Sequence, residues 1–555
     1  MAPTATLRPV LLTTVLVLAA CNGGTGTAPE TETPALSAAD ACAQLASLGI
    51  PAMAIGLPTT GASITSAELI AATTENNANG EYCKVLGAIH PASYTAPDIN
   101  FEVNLPSEWN RKTLQLGGGG LNGTVVSGLG RYAKQPDAEQ TPLARGYVTL
   151  GSDSGHQSTV GFDGRFFLND EAMDNYGHMQ IKKTHDVAMQ LVQARYGAAS
   201  ERNYFIGGSQ GGHEGFDAVQ RYPDDYDGVV AGYPAHNVLM LHLSALQVAK
   251  AMMADGDAGW LNQQEADFLV GKVYAACDAL DGGTDGIISN VTACQTATAA
   301  FKLLTSENPL RCANGANVSD ACLADAQIGA LNSFDTPYET GFPIFNDDIT
   351  TAVFPKWTPF EGSTFRDGGM AILGAEGPRQ ALQAGPGDAT NRFAIAQDLT
   401  LNVFEDYDPA QYAGRINDVA KRISANSVAI DRFRTKGGKL IYFHGLVDDF
   451  ITPYSSIQYY NRLVGRYGEG LGEFVKFYTI PGMGHVTGVF NARIASLDAL
   501  EAWVERGEAP GELVASDANM ATAGRTRPVC HYPLWPRYDG SGDINAAASF
   551  ACGTE

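Results

Sequence analysis

Short apolar runs of strand length alternate along this chain with turn signals and helical patterns. The runs at 113–116, 147–150, 204–206, 228–231, 439–443 and 474–480 each read as a buried strand. Between the second and third, Ile181, His185, Val187, Ala188, Leu191, Val192 and Ala194 recur at near-helical spacing, and another helix is expected after Ser209. This strand–helix–strand rhythm predicts an α/β fold on a mainly parallel sheet.

From 237 to 426 the pattern changes. Gly, Pro, Asp and Asn are frequent, four cysteines fall here, and no series of strong strands is apparent. Because the strand pattern resumes at 439, the expected organisation is a core split into 38–236 and 427–555, with a lid domain at 237–426. There is no internal repeat.

The apolar run 10–20 is too short to span a bilayer as a helix, but it has the length of the apolar region of a secretory signal. It ends Leu18-Ala19-Ala20-Cys21, which resembles a bacterial lipobox, so 1–21 is expected to be a lipoprotein signal with Cys21 acylated. The alternative is an ordinary signal peptide, with Cys21 left free or removed. Residues 22–37 are rich in Gly, Thr, Pro and Glu and read as a tether. The expected location is therefore the bacterial cell envelope, as an outer-membrane lipoprotein, or outside the cell as a secreted protein.

Charge narrows the possible partners. Lys and Arg number 36 against 60 Asp and Glu, a formal charge of -24, so phosphate backbones and anionic lipid surfaces would be repelled. Nucleic acid is excluded as a partner, and the membrane is expected to be reached only through the lipid anchor. Setting Cys21 aside leaves eight cysteines: Cys42, Cys83, Cys277, Cys294, Cys312, Cys322, Cys530 and Cys552. An even number in an exported chain suggests four disulfides, and closeness in sequence favours Cys277 with Cys294 and Cys312 with Cys322. The oligomeric state is not readable.

The sharpest chemical signal is Tyr204-Phe-Ile-Gly-Gly-Ser209-Gln-Gly-Gly-His213, an apolar strand entering Gly-x-Ser-x-Gly and then a helical stretch. Such an elbow lifts a serine hydroxyl out of the top of a sheet as a nucleophile. A carboxylate and a histidine should follow in that order. Asp448 lies just beyond the strand at 439–443, with Asp449 as its rival, and His485 lies just beyond the strand at 474–480. His213 sits in the helix and reads as packing or surface. The glycine-rich stretch 116–123 follows an early strand and suits an oxyanion hole, with Gly118 or Gly119 as one amide donor and Gln210 as the other.

Within the insertion, Asp278, Asp281 and Asp285 crowd a tight glycine-containing loop. Hard oxygen ligands at this density suit Ca²⁺, with the carbonyls of Gly283 and Ile287 completing the set; the alternative is a solvated acidic turn.

Taken together, the 117–120 glycine run, Asp153-Ser-Gly-His156, the 207–212 elbow, the 277–288 loop, the 444–453 segment and the 481–485 segment resemble the tannase and feruloyl esterase family, which includes the hydrolase of mono(hydroxyethyl) terephthalate. The resemblance spans about 42–552 and implies an α/β-hydrolase fold with a large inserted lid holding a structural Ca²⁺ on Asp278, Asp281, Gly283, Asp285 and Ile287. It implies Ser209 as nucleophile, Asp448 as orienting carboxylate and His485 as base, acting on a small aromatic ester of feruloyl, galloyl or terephthalate type. It also implies the pairs Cys42–Cys83 and Cys530–Cys552 beside the two local ones. Family members usually join a cysteine before the nucleophile to one after the histidine; here those positions are Gly208 and Val486. The other functions to weigh are an esterase of aliphatic or polyester fragments, an amidase, and a non-catalytic calcium-stabilised surface lipoprotein. Arg366, Arg379 and Arg392 are candidates to meet a substrate carboxylate, with a surface role as the alternative.

Overall fold

The computed structural model describes residues 37–160, 162–346, 349–365 and 386–554. The signal segment, Cys21 and nearly all of the tether lie outside the described residues, as do Arg366 and Arg379.

The strands, in chain order, are β1 (Gly49–Ile50), β2 (Gly61–Ile70), β3 (Tyr82–His90), β4 (Ile99–Pro106), β5 (Lys112–Leu116), β6 (Val148–Ser152), β7 (Arg202–Gly208), β8 (Gly228–Gly232), β9 (Tyr338–Asn346), β10 (Ile349–Phe354), β11 (Lys439–Gly445), β12 (Val475–Ile480), β13 (Ala492–Arg493), β14 (Leu513–Asp517), β15 (Thr526–His531), β16 (Trp535–Tyr538) and β17 (Phe550–Gly553). Thirteen form one sheet in the order β1-β2-β3-β4-β6-β5-β7-β8-β11-β12-β15-β14-β13. From β6 to β12 all neighbours pair in parallel. These are the six strands that the apolar runs predict. They read as continuous apolar segments because both faces are covered: Leu440, Ile441, Tyr442 and Phe443 of β11 are all buried.

The expectation of a mainly parallel sheet needs correction, because β1–β4 on one flank and β13–β15 on the other are antiparallel. In β4, buried Ile99, Phe101, Val103 and Leu105 alternate with Asn100, Glu102 and Asn104, the period-two pattern of an antiparallel strand.

Helix α1 (Gln180–Tyr196) is the one predicted from its spacing, and it buries Ile181, Val187, Ala188, Leu191 and Val192. Gly197, at φ 67°, ends it in the left-handed conformation that glycine adopts without steric cost. Helix α2 (Gln210–Arg221) starts directly from β7, and α3 (Val238–Asp257) begins the insertion. By length and composition α3 could cross a membrane, but here it is mostly buried.

Between β8 and β11 no strand of the main sheet occurs among the described residues; the segment holds helices and the hairpin β9–β10. Its apolar cluster takes in Leu239, Leu243, Leu331 and Ile416, and also Phe166, Phe167, Met173 and Tyr176 from the stretch after β6. The insertion thus closes its core against that earlier stretch. Four disulfides are formed, Cys42–Cys83, Cys277–Cys294, Cys312–Cys322 and Cys530–Cys552.

Candidate active site

Three loops at the C-terminal ends of β7, β11 and β12 converge. Ser209, between β7 and α2, has φ 61° and ψ -122°, a conformation that non-glycine residues rarely adopt. The turn is possible because its neighbours are glycines. A Cβ at Gly207 would lie 2.4 Å from the carbonyl oxygen of Gly211, and one at Gly211 would lie 2.8 Å from that of Gly118. The Ser209 amide donates to the Gly232 carbonyl at 3.0 Å, fixing the elbow against β8.

His485 Nε2 lies 2.9 Å from Ser209 Oγ, and its Nδ1 lies 2.9 Å from Asp448 Oδ2. A carboxylate oxygen can only accept, so the ring proton sits on Nδ1 and Nε2 keeps a lone pair for the serine hydroxyl. The structure thus brings Ser209, His485 and Asp448 together in one hydrogen-bonded chain. Asp449, the rival carboxylate, faces Ser363 instead, with its Oδ2 3.4 Å from the hydroxyl.

Asp448 is fully buried. Its Oδ1 accepts from the amides of Phe450 (2.9 Å) and Ile451 (2.8 Å). Burial alone would push its carboxyl up, but the facing His485 and His444 rings hold it well below the usual carboxylate range. His444 is a functional neighbour that the sequence reading passed over. Its Nε2 donates to the Ile451 carbonyl at 2.9 Å and lies 3.3 Å from Asp448 Oδ2, while Nδ1 accepts from Ser456 at 2.8 Å. Its place at the end of β11, four residues before Asp448, was the available signal. Phe450 and Tyr233 present their rings to His485 at 5.0 and 4.9 Å, both nearly edge-on, which limits how the imidazole can turn.

The glycine loop is held by a residue the sequence reading did not single out. Glu214, fully buried in the first turns of α2, accepts from the Gly118 amide at 3.0 Å and from Asn122 Nδ2 at 2.6 Å. Desolvation pushes its carboxyl up to about 7. Gly118 is therefore corrected: its amide is spent on Glu214, and its carbonyl accepts from Gly211 at 3.0 Å. The amides of Gly119 and Gln210 make no backbone hydrogen bond among the described residues. Behind the loop, buried Asp153 accepts from the amides of Asn100 and Gly155, and His156 stacks on Phe166 with centroids 3.8 Å apart. The Asp153 carbonyl accepts from the Gly123 amide at 3.1 Å, tying that motif to the loop. His213 is buried, 2.9 Å from Asp217 and 3.1 Å from the Gly177 carbonyl, so it packs the interior and the surface alternative is corrected.

At the positions where the family disulfide would lie, Tyr233 takes up the space. A Cβ on Gly208 would meet Tyr233 Oη at 2.5 Å and Ala133 Cβ at 3.0 Å. Val486, the other position, is exposed, and its carbonyl accepts from Lys134 Nζ at 2.9 Å.

Two cavities meet at Ser209. One, of about 110 Å³, is bounded by Leu121, Phe162, Val238, Leu241, Trp357 and Phe450 among others. That is on the scale of the ~150 Å³ apolar cavities that take up benzene. The other is wider and more polar and includes His485, Tyr233 and the glycine loop. Arg392, a candidate for a substrate carboxylate, pairs with Asp388 at 2.7 Å.

The acidic loop at 278–287 lies in the insertion. The Asp278, Asp281 and Asp285 carboxylates accept from amides of their own loop. Burial pushes Asp281 up to about 6 and raises Asp278, outweighing the amides that each accepts. The carbonyls of Gly283 and Ile287 accept no backbone hydrogen bond among the described residues. This oxygen-only donor set fits a Ca²⁺ ion. Arg527 already pairs with one oxygen of Asp285, and the three carboxylates are more spread than the trio His185, Asp186 and Asp225, whose ligand atoms lie within 4.8 Å of one another.

The sequence model described as tannase and feruloyl esterase matches residues 83–553. The chain is 38% identical to an uncharacterized esterase of Agrobacterium fabrum over 93% of each chain. It is 31% identical to mono(2-hydroxyethyl) terephthalate hydrolase of Piscinibacter sakaiensis, over 87% of this chain and 86% of that one. Among solved structures, feruloyl esterase B from Aspergillus oryzae aligns over 93% of this chain and all of that one, with a TM-score of 0.74 and 22% identity. That likeness makes the architecture an α/β-hydrolase fold.

Proposed function

The chain belongs to the tannase and feruloyl esterase family and is a carboxylic ester hydrolase, and on that premise we propose that it cleaves aromatic carboxylic esters of feruloyl, galloyl or terephthalate type with Ser209 as nucleophile. The single observation that carries this is the chain of two 2.9 Å contacts from Ser209 through His485 to buried Asp448.

In this reading His485 Nε2 takes the hydroxyl proton as Ser209 Oγ bonds to the ester carbonyl carbon. The Gly119 and Gln210 amides bind the oxyanion, and His485 then passes the proton to the departing alcohol oxygen. Water, deprotonated by the same imidazole, releases the acid. Asp448 stays ionised throughout, holding the tautomer and the charge on His485. The apolar cavity takes the aromatic acyl group. Its ring-sized volume favours this over an aliphatic or polyester fragment, and the connected hydrogen-bond chain weighs against a non-catalytic lipoprotein.

Ca²⁺ on Asp278, Asp281 and Asp285 with the carbonyls of Gly283 and Ile287 is proposed as structural, its chemistry being to neutralise a partly buried acidic loop clipped by Cys277–Cys294. The disulfides fit an extracellular enzyme, and acylation of Cys21 would tether it to the cell envelope. The test of the main reading is turnover of methyl ferulate, methyl gallate and mono(hydroxyethyl) terephthalate by wild type and Ser209→Ala. Loss of at least one activity in the variant is expected; equal turnover by both would sink the nucleophile assignment.

A further inference from the structure

The wider cavity at Ser209 carries a charge of the opposite sign to the rest of the protein. Arg131, Lys134 and Arg493 line it, against one carboxylate, Asp137, in a chain of formal charge -24. Arg131 is exposed, donating through one Nη to the Asp137 carbonyl, and Arg493 Nε stands 3.7 Å from the Asp137 carboxylate. Asn491 Oδ1 accepts from both Lys134 (3.2 Å) and Arg493 Nη1 (2.9 Å), holding these two cations beside the loop that bears His485.

Which half of an ester enters here follows from the chemistry. The departing alcohol oxygen must sit where His485 can protonate it, and His485 borders this cavity rather than the apolar one. Among the described residues no Lys or Arg lines the apolar cavity, and of its two carboxylates Asp388 is paired with Arg392 and Asp449 faces Ser363, so nothing there meets an acidic acyl group. Resting on the esterase reading above, we propose that the enzyme's preferred substrates carry an anionic group on the alcohol side: esters of an uncharged aromatic acid, of feruloyl or galloyl rather than terephthalate type, with a carboxylate-bearing alcohol, whose carboxylate is met by Arg131 and Arg493. In an acidic protein this local field also raises the encounter rate of such anions at the one place where they are needed.

The test compares two esters with the same acyl group, methyl ferulate and the ferulate ester of glycolate. In wild type at low salt, kcat/KM for the glycolate ester should exceed that for the methyl ester by about tenfold, and about 0.5 M NaCl should bring the ratio towards one. Arg131→Gln/Arg493→Gln should bring it towards one at low salt as well. If the double variant melts below the assay temperature, exposed Arg131→Gln alone should still lower the ratio severalfold. A ratio near one in wild type at low salt, or one unmoved by the substitutions, overturns the proposal. Failure of the esterase reading is seen separately, as no turnover of either ester. In that case calorimetry with Ser209→Ala protein reads the subsite directly: salt-sensitive binding of the glycolate ester that is weakened by Arg131→Gln supports it, and equal binding of both esters refutes it.

Discussion

Replacing Glu214 by Gln tests whether a buried carboxylate sets the oxyanion loop. The two oxygens of Glu214 accept from the Gly118 amide and from Asn122 Nδ2. A glutamine offers one acceptor and one NH₂, so one of those donors faces another donor, a mismatch of about 1–3 kcal/mol. If it is relieved by letting the loop move, the Gly119 amide leaves its position and kcat falls about 5- to 150-fold, with KM changed less. The pH dependence gives a second readout. The folded carboxyl lies at about 7 against an ordinary 4.5, so between those values the native state holds the proton more tightly than the unfolded chain. Its contribution is fully present below the unfolded value and is lost as pH rises through about 7, by roughly 3 kcal/mol. Glutamine does not titrate, so the stability of wild type minus that of the variant should fall by that amount between pH 4 and 8. Urea denaturation at several pH values measures it, beside kcat for a feruloyl ester. Parallel pH profiles together with equal kcat would refute the role given to Glu214.

Asp448→Asn should lower kcat on the order of 10⁴-fold, because an amide NH₂ facing Nδ1 forces the proton onto Nε2, where Ser209 needs an acceptor; a loss under tenfold in steady-state assays would contradict the tautomer argument. Gly208→Ala should cost about 1–3 kcal/mol, since its Cβ would meet buried Tyr233, and a double-mutant cycle with Tyr233→Leu should show strong coupling between the two sites. Chelation should lower the melting temperature in wild type and much less in Asp281→Asn. In the chelated protein, stability should fall as pH rises through about 6, where Asp281 ionises against the cost of its burial; a melting temperature indifferent to Ca²⁺ at every pH would rule out a structural ion at this loop.

The central strands and the three loops they carry were legible because each leaves a local mark: a continuous apolar run, a glycine elbow, a carboxylate or histidine directly after a strand. What escaped was of two kinds. Strand β4 alternates Ile99, Phe101, Val103 and Leu105 with polar residues, a period that goes unseen when only continuous runs are sought. Glu214 and His444 are ordinary residues in sequence, and their importance comes from burial against groups about a hundred residues away or on an adjoining loop. The choice between Gly118 and Gly119 was unreadable for the same reason, since it depends on which amide the distant carboxylate claims.

Catalysis by Ser209 requires an acyl group to pass through its Oγ, and the most direct measurement is mass spectrometry of protein quenched during turnover of an activated feruloyl ester. A single feruloyl adduct is predicted on the peptide containing Ser209, absent from Ser209→Ala and blocked in wild type when a fluorophosphonate probe has first labelled the same serine. An adduct on another residue, or full turnover with Ser209 unlabelled, would contradict it.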